Sequence, residues 1–212
     1  MFGTHDLALF ALTVLVLNAT PGVDMALTIS ATLRGGWRHG AAAVLGICLG
    51  CLLHTFAAAL GLAALLATSS EAFTVLKWVG AAYLLYMAWG MARVGLRPVV
   101  AAPDEAKPLP QRLSRSIWQG FWTNALNPKV ALFFLALLPQ FIAPDAAHKT
   151  EAFVFLGLWF VLQGGLFSLG LVALSSLARR LPTRPGLARA LNLSGASLFT
   201  LLAARLALAR LD

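Results

Sequence analysis

Six stretches of this sequence, about 6–31, 41–67, 72–95, 116–141, 151–177 and 187–210, are long and predominantly apolar. A bilayer crossing takes about 20 mostly apolar residues, and in lipid each backbone amide must find its partner within the protein. The expected fold class is therefore an all-α integral membrane protein with six transmembrane helices. The last stretch is the most interrupted, by Arg189, Asn192, Arg205 and Arg210. Six crossings and short loops use nearly all 212 residues and leave no room for a soluble domain, so 1–212 reads as a single transmembrane unit. The composition agrees: 59% of residues are hydrophobic and 11% charged, against about half and a quarter in a soluble domain.

The first span is expected to stay in the mature protein. No Lys or Arg precedes it, it is too long for a signal-peptide core, and no small-residue cleavage site follows. The net charge of +8 is a topology signal and does not point to a nucleic-acid partner. Arg34, Arg38, Arg93, Arg97, Lys107, Arg112, Arg115, Arg179, Arg180, Arg184 and Arg189 fall in the odd connections. Only Lys77, Lys149, Arg205 and Arg210 fall in the even connections and the C-terminus, and Lys129 is left inside a span. Cytoplasmic loops carry the Lys/Arg excess, so the odd loops are expected in the cytoplasm and both termini outside.

The chain divides at Arg97–Arg115, its only long polar, proline-bearing segment, which reads as a cytoplasmic linker. Repeat one is about 1–96 and repeat two about 116–212. Three crossings in each half make the second half enter the membrane in the opposite sense, so related halves would form an inverted repeat. The first and fourth spans support that pairing. Thr20-Pro21-Gly22-Val23 and Asn127-Pro128-Lys129-Val130 lie at matching depth, about 12–15 residues into each span.

Proline removes a backbone donor, clashes with the preceding turn and pushes the residue before it out of the helical region. Thr20 and Asn127 are good N-cap types, and proline is favoured at the first helical position. Each span is thus expected to be two half-helices, the second starting at Pro21 and at Pro128. A fresh helix start leaves amides unpaired and a positive dipole end at mid-membrane, suited to a carboxylate. The alternative use of each proline is a plain kink.

Asp24 lies one turn beyond the first break, and Lys129 directly follows Pro128. A charge at mid-bilayer costs at least ~2.5–3.5 kcal/mol, so it faces an interior and marks function. The two residues either line a substrate path or form a buried ion pair that locks the halves together. Asn18 and Asn124, just before the breaks, either present amides to a substrate or cap freed carbonyls. Gly46, Gly50 and His54 recur every four residues on the second span. A small-xxx-small face permits close helix approach, which would carry His54 against the broken first span or allow a homodimer. His54 has the chemistry of a proton relay; a packing role is the alternative. Gln163, Asn192 and Ser194 are polar lining or helix–helix hydrogen bonds.

Cys48 and Cys51 exclude a disulfide framework, and an intramembrane cysteine ordinarily behaves as a small hydrophobe. With His54 they form the basis of a rival reading, a divalent or soft metal-ion efflux carrier needing a fourth ligand from elsewhere. No hydrolytic or phosphoryl-transfer motif is present, so no enzyme and no cofactor is expected, and coupling to an ion gradient is the economical reading.

At these residues the sequence resembles the LysE/RhtB family of amino-acid exporters over nearly its whole length. The first marker is Pro21-Gly22-Val23-Asp24, where the family usually reads Pro-Gly-Pro and Val23 departs. Others are Arg34-Gly35-Gly36-Trp37-Arg38-His39-Gly40, the Gly46…Gly50…His54 face and Leu76-Lys77…Gly80-Ala81-Ala82-Tyr83-Leu84. The most specific runs from Phe121…Asn124-Ala125-Leu126-Asn127-Pro128-Lys129 to Leu138-Pro139-Gln140-Phe141. The resemblance implies a bacterial inner-membrane exporter of amino acids or close derivatives, coupled to the proton gradient. On this reading two repeats alternate access to a central site of Asn18, Thr20, Pro21, Gly22, Asp24, Asn124, Asn127, Pro128 and Lys129. The substrate carboxylate is expected at the Pro128 helix end with Asn127 and Lys129, its ammonium at Asp24, and the coupling proton on Asp24 or His54.

Overall fold

The structure, a computed structural model, describes residues 2–62 and 112–178, with isolated positions between 75 and 96 and between 193 and 204. Every regular element among them is helical. Helices α1 (Leu7–Ala19) and α2 (Val23–Gly35) bend by 56° across their break. Helix α3 (Trp37–Ala57) runs on through a wider π-type turn at Ala58–Leu62. Helices α4 (Leu113–Ala125) and α5 (Pro128–Ala136) form the second broken pair, bent by 49°, with a 3-10 turn at Leu138–Phe141. Helix α6 (Lys149–Ala178) is a single rod of 30 residues. A broken pair followed by a long helix thus occurs twice. By length and composition α3 and α6 can each cross a membrane, and so can each bent pair taken as one span. Most of the expected third and sixth spans and of the 97–115 linker, with Asn192 and Ser194, lies outside the described residues.

Helix α1 buries Phe10, Thr13, Val14 and Leu17, a stripe at helical spacing, and leaves Leu12 and Leu15 exposed. Phe10 meets the edge of Phe141 at 5.1 Å between centroids, and Phe133 lies 4.8 Å from Phe160. This aromatic cluster binds α1, α5 and α6 together on one side of the breaks. Gln163 of α6 donates to the Ala11 carbonyl at 2.7 Å and accepts from Trp159 Nε1 at 2.9 Å, so it serves as a helix–helix tie. Inside the apolar helices, Thr13, Thr28, Thr32 and Thr55 return their hydroxyls to the carbonyl four residues back, which leaves no bare donor.

The glycine face of α3 does not meet the first span. A Cβ on Gly46 would strike the Ile117 carbonyl, and one on Gly120 the Ala43 carbonyl. The partner is therefore α4, because Gly120 supplies the second small residue that lets two main chains touch. Gly50 completes the seam against Asn124, whose Oδ1 lies 2.8 Å from where its Cβ would be. This face is filled within the chain and is not available to a second copy, which removes the basis of the expected homodimer.

Both ends of the bundle are tied. His39 Nδ1 and Ser116 Oγ lie 3.0 Å apart and join the starts of α3 and α4, the end that carries Arg34, Arg38, Arg112 and Arg115. At the other end Thr4 bridges Ile142, His5 N donates to the Phe141 carbonyl at 3.0 Å, and Ala143 N donates to the Gly3 carbonyl at 2.9 Å.

Candidate functional site

The two breaks are built differently. At the second, Asn127 is the N-cap and Pro128 the first helical residue, as the sequence predicts, and Asn127 Oδ1 accepts from Lys129 N at 3.0 Å. Val130 N and Ala131 N both donate to the Asn127 carbonyl at 3.1 Å. The amide end of α5 is therefore already satisfied, contrary to the bare end expected to meet a carboxylate there. At the first break, α2 begins at Val23 and not at Pro21, with Gly22 as an extended N-cap and no side-chain cap. Thr20 does not face forward: its Oγ1 donates back to the Val16 carbonyl at 2.6 Å and it closes α1. A threonine hydroxyl is satisfied locally by the carbonyl four residues before it, and here that bond prevails over capping.

The side chains of each break serve the other. Asn124 and Asn127, from the second break, both donate their amides to Asp24 Oδ2, at 2.9 and 3.0 Å. Lys129 sends its Nζ the other way, to the Leu17 carbonyl at 2.7 Å and the Thr20 carbonyl at 2.9 Å at the end of α1. Asp24 and Lys129 form no ion pair; each is held by neutral groups of the opposite break. Among the described residues, Asp24 Oδ1 and Asn124 Oδ1 are buried without a hydrogen-bond partner. Such an atom costs about 1–3 kcal/mol, so the site holds two unused acceptors beside one ammonium.

These groups surround a cavity of about 40 Å³ bounded by Asn18, Thr20, Gly22, Asp24, Asn124, Asn127 and Lys129 on the break side. By the minimum of about 10–15 Å³ that a cavity needs to hold a water, it admits water and is too small for an amino acid in this conformation. The wall opposite the breaks belongs to α6, whose Gly164 and Gly165 are not among the expected site residues. Gly164 faces Asn18 Oδ1, and Gly165 faces Cys48 Sγ at 3.1 Å from where its Cβ would stand. The signal was present as an adjacent glycine pair in the middle of the fifth span. Asn18 gives its amide to the Val14 carbonyl at 2.9 Å; Asn124 uses its amide on Asp24 and neither caps a carbonyl nor points into open space.

His54 does not line this cavity. Its Nε2 lies 3.2 Å from the Asn124 carbonyl, and its ring packs on Phe134 at 5.9 Å between centroids. A carbonyl only accepts, so Nε2 carries the proton. Its open face borders a separate apolar cavity of about 340 Å³ with Ala58, Ala131 and Phe134. Among the described residues no three His, Cys, Asp or Glu side chains converge to hold a metal ion, so the Cys48–Cys51–His54 carrier reading is not supported.

Comparison with known proteins follows the same lines. The family model described as LysE type translocator matches residues 15–210. The chain is 31% identical over 195 residues to an uncharacterized membrane protein of Vibrio cholerae, covering 92% of this chain and 93% of that one. It is 30% identical over 203 residues to the homoserine/homoserine lactone efflux protein of Salmonella typhi, covering 95% of each. It is 33% identical over 132 residues to the cysteine/O-acetylserine efflux protein of Salmonella choleraesuis, covering 62% of this chain and 63% of that one. No solved structure matches the chain.

Proposed function

The chain belongs to the LysE family of translocators, and on that premise we propose that it exports small amino acids or close derivatives, as a proton-coupled secondary carrier of the bacterial inner membrane. The observation that carries the proposal is the disposition of Asp24 and Lys129. One acid and one amine border a single cavity between two helix breaks, and neither neutralises the other. A zwitterion presents the matching pair of charges at one carbon. Its ammonium goes to Asp24, whose Oδ1 has no other partner, and its carboxylate to Lys129. Two of the relatives carry the names of efflux proteins, one for homoserine and its lactone and one for cysteine and O-acetylserine.

The small size of the cavity and the two bends support alternating access, with the Pro21-Gly22 and Asn127-Pro128 junctions as hinges absorbing the change. The six-span inverted repeat supplies the symmetry for that movement. We place the coupling proton on Asp24, within the cavity, and give His54 a structural part at the second hinge. The arginine-bearing end at Arg34, Arg38, Arg112 and Arg115 faces the cytoplasm, which puts Thr4 and the 142–148 connection outside.

The test is efflux of radiolabelled L-homoserine, L-threonine and O-acetyl-L-serine from loaded proteoliposomes under an imposed pH gradient, with cadmium and nickel as control cargo. Efflux of one of the amino acids, slowed when the gradient is collapsed, is the expected result. Proteoliposomes that retain all three, or release them at a rate indifferent to the gradient, would refute export or its coupling respectively.

A further inference from the structure

In a helix each carbonyl takes the amide four residues ahead. Pro21 and Pro128 have no amide to give, so at the two breaks the carbonyls of Leu17 and Asn124 lose that partner and accept the amide three residues ahead, Thr20 N at 3.3 Å and Asn127 N at 2.9 Å. Each also takes a nitrogen from outside its own span in place of the missing amide: Leu17 from Lys129 Nζ at 2.7 Å, Asn124 from His54 Nε2 at 3.2 Å. The two substitutes differ in one respect. His54 stands outside the cavity, whereas Lys129 is the one ammonium on its lining and also holds the Thr20 carbonyl at 2.9 Å. Gly22 borders it, a Cβ there standing 3.5 Å from Nζ in ordinary van der Waals contact.

An ammonium bonds a carboxylate more strongly than a neutral carbonyl. We propose that Lys129 is a substrate-released latch on the first hinge: an entering carboxylate draws its ammonium from Leu17 and Thr20, and the freed end of α1 is then able to swing on Pro21-Gly22. This rests on the amino-acid reading and adds to it the step by which binding is communicated to the moving part. Occupancy and movement are linked because the same three N–H groups serve the closed hinge and the bound substrate by turns. Empty, the carrier keeps its first span locked at the bend described above.

Hydrogen–deuterium exchange over residues 14–29 in lipid nanodiscs tests the latch. Homoserine at saturation is compared with 3-amino-1-propanol, which is homoserine with its carboxyl replaced by hydrogen, and a thermal shift of the wild type reports binding. Homoserine is expected to raise exchange in this segment several-fold, and the amino alcohol to leave it as it was. Lys129→Met is expected to show the raised exchange without any ligand and no further response. The proposal is overturned by Lys129→Met exchanging as the wild type does, or by homoserine binding that leaves wild-type exchange unchanged. If the variant does not insert, the wild-type pair of ligands decides the matter alone. Absence of any thermal shift with amino acids would count against the export reading instead, and the Lys129→Met comparison would then decide the latch by itself.

Discussion

Asn124 reaches Asp24 across 100 positions of sequence, its side-chain amide 2.9 Å from the Oδ2 oxygen, and that bond joins the two broken spans at their point of closest chemistry. The same residue accepts His54 on its main-chain carbonyl. One asparagine therefore connects three spans, and substitutions around it separate charge, hydrogen bonding and packing.

Asp24→Asn keeps the volume and an oxygen to accept from Asn124 and Asn127 but removes the charge offered to a substrate ammonium. Loss of a charged hydrogen bond of about 3 kcal/mol lowers export by roughly 100-fold. Membrane insertion, followed by the yield of folded protein in detergent, is expected to match the wild type. Normal efflux by this variant would remove Asp24 from the mechanism.

Asn127→Asp keeps a good N-cap for α5 but sets a carboxylate where Asn127 now donates to Asp24 at 3.0 Å. Two like charges at that spacing repel by about 5.5 kcal/mol at an effective dielectric of about 20. The variant is expected to melt lower and to export poorly, and adding Asp24→Asn to restore melting without restoring export. A double variant no more stable than Asn127→Asp would show that the two side chains do not interact.

His54→Gln retains a side-chain N–H for the Asn124 carbonyl, while His54→Leu leaves that carbonyl to the Asn127 amide alone. The leucine variant is expected to lose about 1 kcal/mol, seen as a lower melting temperature. The glutamine variant is expected to recover most of it and to export with an unaltered pH profile. Equal loss of proton-driven export in both variants would instead make His54 the proton carrier.

Gly46→Ala places a methyl group on the Ile117 carbonyl, main chain that cannot turn aside. Overpacking of this kind costs about 1–3 kcal/mol, and a fall of several degrees in melting temperature is expected. Gly90→Ala, with nothing within 4 Å of the added carbon, is the control and stays within about 0.5 kcal/mol of the wild type.

The sequence made the two breaks legible because proline and a capping residue act locally. Asn127 and Pro128 take the positions their chemistry predicts. Thr20 does not, since a hydroxyl chooses between capping forward and bonding back, and the sequence does not show which carbonyl is nearer. The direction of the Gly46 face was hidden for a different reason: its partner is Gly120, beyond a linker, and no local rule pairs them. Asp24 and Lys129 were recognisable as interior charges, but not that each would be held by neutral groups of the opposite break. The contribution of Gly164 and Gly165 was equally out of reach, because a glycine pair in an apolar span marks close approach without saying to what.

The contact of α3 with α4 through bare backbone has a mechanical consequence. Two rods separated by side chains slide by trading rotamers; two whose peptide planes abut have nothing to trade, and shear between them is blocked. On the alternating-access proposal the α3–α4 pair is the stator, and the strokes that would carry cargo across are left to the segments hinged on either side of it.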